Sequence, residues 1–164
     1  MLRLVILMSS AALAGMSPQA LLTTLLKTPI PRAELPSGFS NAQTEKQALS
    51  ANARKHHAVG VVDVAVKGPD SLDAFAWIVF TKHGDALADL DNPAVGNGVK
   101  VVGVVPGIRE SLVLTGLLNG KHITDAAAVS GNVLVQGVVV SSAVRQPTAI
   151  LLLKAAIAHL RKVG

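Results

Sequence analysis

Apolar residues recur along most of this chain with the alternation of strands, and over 83–90 and at its end with the period of a helix. Residues 59–66 are almost all small or β-branched, with Asp63 the charged exception. The turn cluster Gly68-Pro69-Asp70 follows, and 74–81 reads as the returning strand. Helical spacing over 83–90 places Ala86, Leu87 and Leu90 on one side, and Asp91-Asn92-Pro93 ends that helix. A strand is predicted over 99–105, stopped by Pro106-Gly107. A meander then follows: 111–118, Asn119-Gly120, 121–129, Ser130-Gly131-Asn132 and 133–140. Asn-Gly is the strongest short hairpin signal, because both turn positions need positive φ. The last element is a helix over 147–162 with Pro147 in its first turn and Ala149, Leu153, Ala156, Ile157 and Leu160 along one stripe.

The first third is less regular. Pro18, Pro29, Pro31 and Pro36 make 16–40 read as a Pro-rich tether. Ser40 and Gln43 have capping-box spacing, ahead of a helix predicted to about residue 55. Its apolar face is thin (Ala42, Ala48, Leu49, Ala53), which suits a surface helix or the mobile wall of a cleft. Helices and antiparallel strands in this order imply α+β: a single antiparallel sheet of about five to six strands, with an N-terminal and a C-terminal helix packed on one face. Residues 41–164 are expected to form one domain, without internal repeats.

Ahead of the tether, Met1-Leu2-Arg3 is a short positive region and 4–13 a mostly apolar run too short to span a bilayer, so 1–15 reads as a signal peptide. It ends Leu13-Ala14-Gly15-Met16. This resembles the bacterial lipobox, Leu-Ala-Gly-Cys, with a methionine where the lipid-bearing cysteine stands. A thioether has no thiol to alkylate. Ala12-Leu13-Ala14 also offers an ordinary cleavage site, and 4–15 as a buried core helix is a further reading.

The signal end, the stretch Ser130-Gly131-Asn132-Val133-Leu134-Val135-Gln136, the closing amphipathic helix and Leu35-Pro36-x-Gly38-Phe39 together resemble a known group. These are small actinobacterial cell-envelope lipoproteins and the extracytoplasmic sensor domains of membrane-bound serine/threonine kinases. The resemblance implies a location at the outer face of the cytoplasmic membrane, with ligand or partner binding. Members commonly carry disulfides; this chain has no cysteine, and no functional residue carries over.

Composition narrows the functions further. Half of the 164 residues are apolar and 15% charged, so the chain is not of the disordered kind. One Trp, three Phe and no Tyr leave too few rings for stacking platforms or aromatic cages. The net charge of +5 comes from scattered residues and pairs such as Arg54-Lys55, so no nucleic acid is expected as a partner. Attraction to a membrane surface through the N-terminal segment fits better. Without cysteine there is no disulfide redox chemistry and no thiol nucleophile.

The candidate chemistry is thin. His56-His57 with Asp63 has a metal-like composition, but adjacent helical side chains diverge by about 100° and no i, i+4 ligand pair is present. No metal is expected. Asp85, Asp89 and Asp91 with Asn92 miss the spacing of a calcium loop and read as a solvated helix face. Gly103-Val104-Val105-Pro106-Gly107 lacks a phosphate-loop lysine, no Gly-x-Ser-x-Gly elbow occurs, and no cofactor is expected. Gly60, Gly68 and Gly137 read as turns or close approaches.

Trp77 is the residue to probe. Phe75 and Val79 share its face of a strand, while Ala76, Ile78 and Phe80 share the other. Core packing is the plain reading; the functional one makes Trp77, Phe75 and Val79 the wall of an apolar pocket. The expectation is therefore an exported, non-enzymatic binding or sensing domain for a small apolar or lipid-like molecule. One alternative is an accessory protein that binds an envelope partner through a sheet edge or helix. A second is an enzyme, for which no acid, base and nucleophile set can be assembled.

Overall fold

A computed structural model describes residues 15–93 and 98–164, so the signal-like segment lies outside the described residues except at its last position, Gly15. Seven strands form one antiparallel sheet: β1 (Ser40–Gln47), β2 (Ala58–Lys67), β3 (Leu72–Phe80), β4 (Lys100–Gly103), β5 (Ser111–Leu118), β6 (Lys121–Ser130) and β7 (Val133–Ser141). Their order across the sheet is β1-β2-β3-β7-β6-β5-β4. The helices are α1 (Pro18–Lys27), α2 (Ala51–Lys55), α3 (His83–Asp91) and α4 (Gln146–Val163). The expected class is right, with more strands than the pattern suggested.

The meander forms as its turns dictate. Asn119 and Gly120 both take positive φ (50° and 77°), and the β6–β7 turn has Gly131 at φ 62°. That turn sets Ser130 opposite Val133, and hence Ala127 opposite Gln136. β3 is central, and everything from Asp73 to Phe80 is buried because helices cover both of its faces.

On the closed face, α1 and α4 pack over Val62, Val64, Phe75, Trp77, Val79, Ala126, Ala128, Val133 and Val135. Two strand glycines seat these helices. A Cβ at Gly137 would stand 2.3 Å from the Ala149 carbonyl oxygen, and one at Gly60 would stand 2.4 Å from Leu22 Cδ2. The stripe read for the closing helix is buried, joined by Leu152 and His159.

Two expectations need correction. The Pro-rich tether at 16–40 contains α1, whose Leu21, Leu22 and Leu25 are fully buried. Ser17 Oγ accepts from Ala20 N–H (3.2 Å) and Pro18 opens the first turn, so the first proline of the supposed tether is a helix-start residue. The helix predicted over 40–55 is a strand and then a single short helix. The backbone of 40–47 pairs with the open edge of β2, from Gln43 opposite Ala65 to Gln47 opposite Val61. That pairing outweighs the weak local preference of a polar segment. The cap belongs to Ser50, whose Oγ accepts from Ala53 N–H (3.1 Å).

Candidate functional site

The pocket expected against Trp77, Phe75 and Val79 is not where those residues are. All three are buried at 0–1% exposure under α1 and α4. Phe75 meets Trp77 edge-on, with ring centroids 5.2 Å apart, and Trp77 Nε1 donates to the Ala156 carbonyl (3.1 Å). They are core, with the indole N–H satisfied by the helix above it.

The cleft lies across the sheet, on the side of the alternate residues. Its floor is Val61 of β2, Ile78 of β3, Leu134 and Gln136 of β7, Asp125 and Ala127 of β6, and Leu112 and Leu114 of β5. One wall is the 48–52 turn into α2, with Ala48, Ser50 and Asn52; the other is the end of α3, with Asp89, Leu90 and Pro93. The volume is about 300 Å³, at the small end for ligand sites. Depressions beside the β4 edge and below α3 have volumes of about 410 and 320 Å³.

Asp89 ties the walls together. Its Oδ1 accepts from Asn52 Nδ2 (2.7 Å) and pairs with His56 Nδ1 (2.9 Å), while Asn52 Nδ2 also reaches the Asn92 carbonyl (3.1 Å). The two candidate clusters thus share a structural contact, His56 from one and Asp89 from the other. Asp63 stands apart on β2, opposite Glu45 and Ala76. Among the described residues, no three His, Asp or Glu side chains converge as metal ligands.

On the floor, Gln136 Nε2 donates to Asp125 Oδ2 (3.0 Å), whereas Asp125 Oδ1 is buried without a hydrogen-bond partner. Burial pushes the Asp125 carboxyl up to about 7, and the bond from Gln136 opposes that only partly. Burial also raises Asp63, and the nearby Glu45 charge adds to it. No motif points to Asp125 or Gln136. Asp125 follows the polar start of β6 and Gln136 sits among the valines of β7, and the hairpin register brings them together diagonally on one face.

A buried polar knot of another kind closes the opposite side. His159, 2% exposed, places Nδ1 2.8 Å from Glu34 Oε2 and Nε2 2.9 Å from the Thr28 carbonyl, and Lys162 Nζ donates to Glu34 Oε1 (2.9 Å). Both partners of the ring are acceptors.

No protein-family model and no curated protein matches the sequence. Among solved structures the fold is similar to the extracellular domain of PknH from Mycobacterium tuberculosis, with a TM-score of 0.54 and 11% identity over 82% of this chain and 98% of that one. At that identity the likeness is one of fold. No described helix is long and apolar enough to cross a membrane.

Proposed function

We propose that this chain is an exported, non-enzymatic domain that binds a small, largely apolar molecule in the cleft between α2 and α3. The observation that carries the reading is a single hydrogen-bonding pair, Asp125 and Gln136, set in an apolar floor, with one carboxyl oxygen left without a partner. Ligand sites combine such apolar walls with few, oriented polar groups. Nothing in the cleft is arranged as a nucleophile and its base. The one hydroxyl lining it, Ser50, caps α2, and Asp89 is held by Asn52 and His56. Export is supported by the signal-like start and by the fold shared with an extracellular domain. Sensing would be the finer use of the same binding.

Native mass spectrometry of protein purified from its own host tests this. A co-purified small molecule is expected on the wild type and absent from Leu114→Trp, whose indole fills the cleft from a half-buried position. Wild-type protein that comes out clean, or a variant that carries the same molecule, sinks the reading.

One observation favours a second reading, an accessory protein that binds an envelope partner. The edge strand β4 exposes Val101 and Val102, followed by Val104, whereas the opposite edge, β1, carries Gln43, Glu45, Lys46 and Gln47. Polar, charged edges resist strand addition and apolar ones invite it. Clean protein that captures one stoichiometric partner, lost on Val102→Lys, would favour this reading over the first.

A further inference from the structure

We infer that the ligand of this cleft carries a protonated amine, held by the Asp125 carboxylate, with its apolar body against Ile78, Leu134 and Leu114. The inference rests on the cleft being a binding site, and it names the chemical class that the site takes.

Charge is the first ground. The chain as a whole is basic, at +5, yet among the described residues the charged side chains that line the cleft are Asp89 and Asp125, with no Lys, Arg or His. Asp89 already has Asn52 and His56 as partners. Asp125 is the carboxyl left to meet a ligand, and a carboxylate ligand would be repelled there.

The second ground is the hydrogen bonding of Asp125. Its one contact is a donor, Gln136 Nε2, and a donated bond favours the ionised carboxyl. Oδ1 has no partner, an expensive arrangement for a buried acceptor. Rotation about the Cβ–Cγ bond exchanges the two oxygens, so either can face the cleft while Gln136 holds the other. An ammonium group supplies the donor and the counter-charge together. An alcohol supplies only a hydrogen bond, and charge-assisted bonds are about twice as strong as neutral ones.

The titratable groups around Asp125 are few. Asp89 comes from α3 with His56 against it, and Asp63 lies further along the same face on β2 with Glu45 beside it; β5 and β7 contribute Leu114 and Gln136. None supplies a free cation. Burial holds a fraction of Asp125 protonated near neutral pH, so capture of an ammonium ion releases protons from the carboxyl.

The test is calorimetric titration of the full chain with n-octylamine, 1-octanol and octanoate, on the wild type, Leu114→Trp and Asp125→Asn. Octylamine should bind at least about tenfold more tightly than octanol, and octanoate least of all. Asp125→Asn, close in shape to the neutral acid, should remove that preference, so that octylamine binds no more tightly than octanol. At pH 7 the heat of octylamine binding should differ between phosphate and Tris in proportion to the protons released, and affinity should rise from pH 5.5 to pH 7.5.

Octanol or octanoate binding as tightly as the amine, or an amine preference that survives Asp125→Asn, overturns the inference while leaving the cleft a binding site. If no titrant binds in a way that Leu114→Trp blocks, and no host molecule is carried there, the cleft reading itself falls.

Discussion

The same strands meet two different demands on the two sides of the sheet. On the closed side, α4 lies so near β7 that Gly137 has no room for a methyl group, and Gly60 receives Leu22 of α1 in the same manner. The positions facing that way include the buried Val62, Val64, Phe75, Trp77, Val79, Ala126, Ala128, Val133 and Val135, with Asp73, Ser111, Thr115 and Thr124 as buried polar exceptions. On the other side, among the described residues, the short α2 and α3 reach over the strands, around a smaller cluster that includes Ala53, Ile78, Phe80, Ala86 and Leu90. Between these helices the face carries Asp125 and Gln136, with Asp63 further along it on β2. Alternation within a strand lets one face hold the fold together while its neighbours keep costly groups that a packed core would reject. Conformational stability and binding are thus separable by residue parity.

The largest effect is expected where backbone meets backbone. Gly137→Ala places a Cβ against the Ala149 carbonyl and the Leu153 amide, neither of which can give way without lifting α4. A loss above about 3 kcal/mol is expected, read as a collapse of the urea midpoint. Gly103→Ala on β4, where a new Cβ meets nothing within 4 Å, should change stability by less than about 1 kcal/mol. Equal effects at the two sites would show that α4 does not hold β7 so closely at Gly137.

Next in size is α1. Leu25→Ala should cost about 2–4 kcal/mol, since the side chain is fully buried in the closed core. Leu114→Ala, half-buried on the cleft floor, should cost less than about 1.5 kcal/mol. Urea denaturation of the pair checks both. A Leu25 variant as stable as the wild type would mean that 16–40 behaves as a tether after all.

How much of this was legible follows from the range of the forces. The meander could be read because its cues are local: Asn119-Gly120 sets its own dihedrals, and alternation in 111–140 marks the strands. The strand at 40–47 could not, because nothing in Ser-Asn-Ala-Gln-Thr-Glu-Lys-Gln favours extension until the edge of β2 is beside it. α1 was masked by its neighbours; Pro29 and Pro31 stop the helix just as Pro18 starts it. Trp77 drew attention as the only tryptophan, and the strand parity read for it is correct, yet the useful face was the other one. Asp125 and Gln136 are 11 residues apart with no motif between them, and only the register of the hairpin makes them a pair.

A third contrast separates the faces by pH. Asp125 on the open face has a carboxyl raised by burial to about 7, above its ordinary value near 3.9 in an unfolded chain. Between those values the folded state binds more protons than the unfolded one, so stability falls as pH rises from about 4 to about 7 and then levels. Asp125→Asn removes the charge but keeps the shape. It should therefore raise the melting temperature at pH 8, by a gain of order 1–4 kcal/mol, and leave it nearly unchanged at pH 4. A variant destabilised at pH 8 would show that the ionised carboxylate gains more from Gln136 than its burial costs.

On the closed side the sign reverses, and the effect is smaller. The hydrogen bond from Lys162 holds Glu34 below the usual carboxylate range, with His159 lowering it further and burial opposing. A depressed carboxyl contributes stability that is full above its unfolded value and is lost as pH falls through the folded one. Glu34→Gln should therefore destabilise at pH 7 by about 1 kcal/mol or less, because Lys162 is largely exposed and the pair is screened, and the difference should shrink as pH falls through the lowered carboxyl's range. The two arms of the contact can be told apart by salt. Lys162→Ala should lose its effect in 1 M sodium chloride, where the Debye length shrinks to about 3 Å. His159→Gln should keep its effect, because the ring is buried between Glu34 and the Thr28 carbonyl at the C-terminal end of α1. If salt abolished both, the knot would be a surface charge pair, and the anchoring of α1 to α4 would rest on Leu21, Leu22 and Leu25 alone.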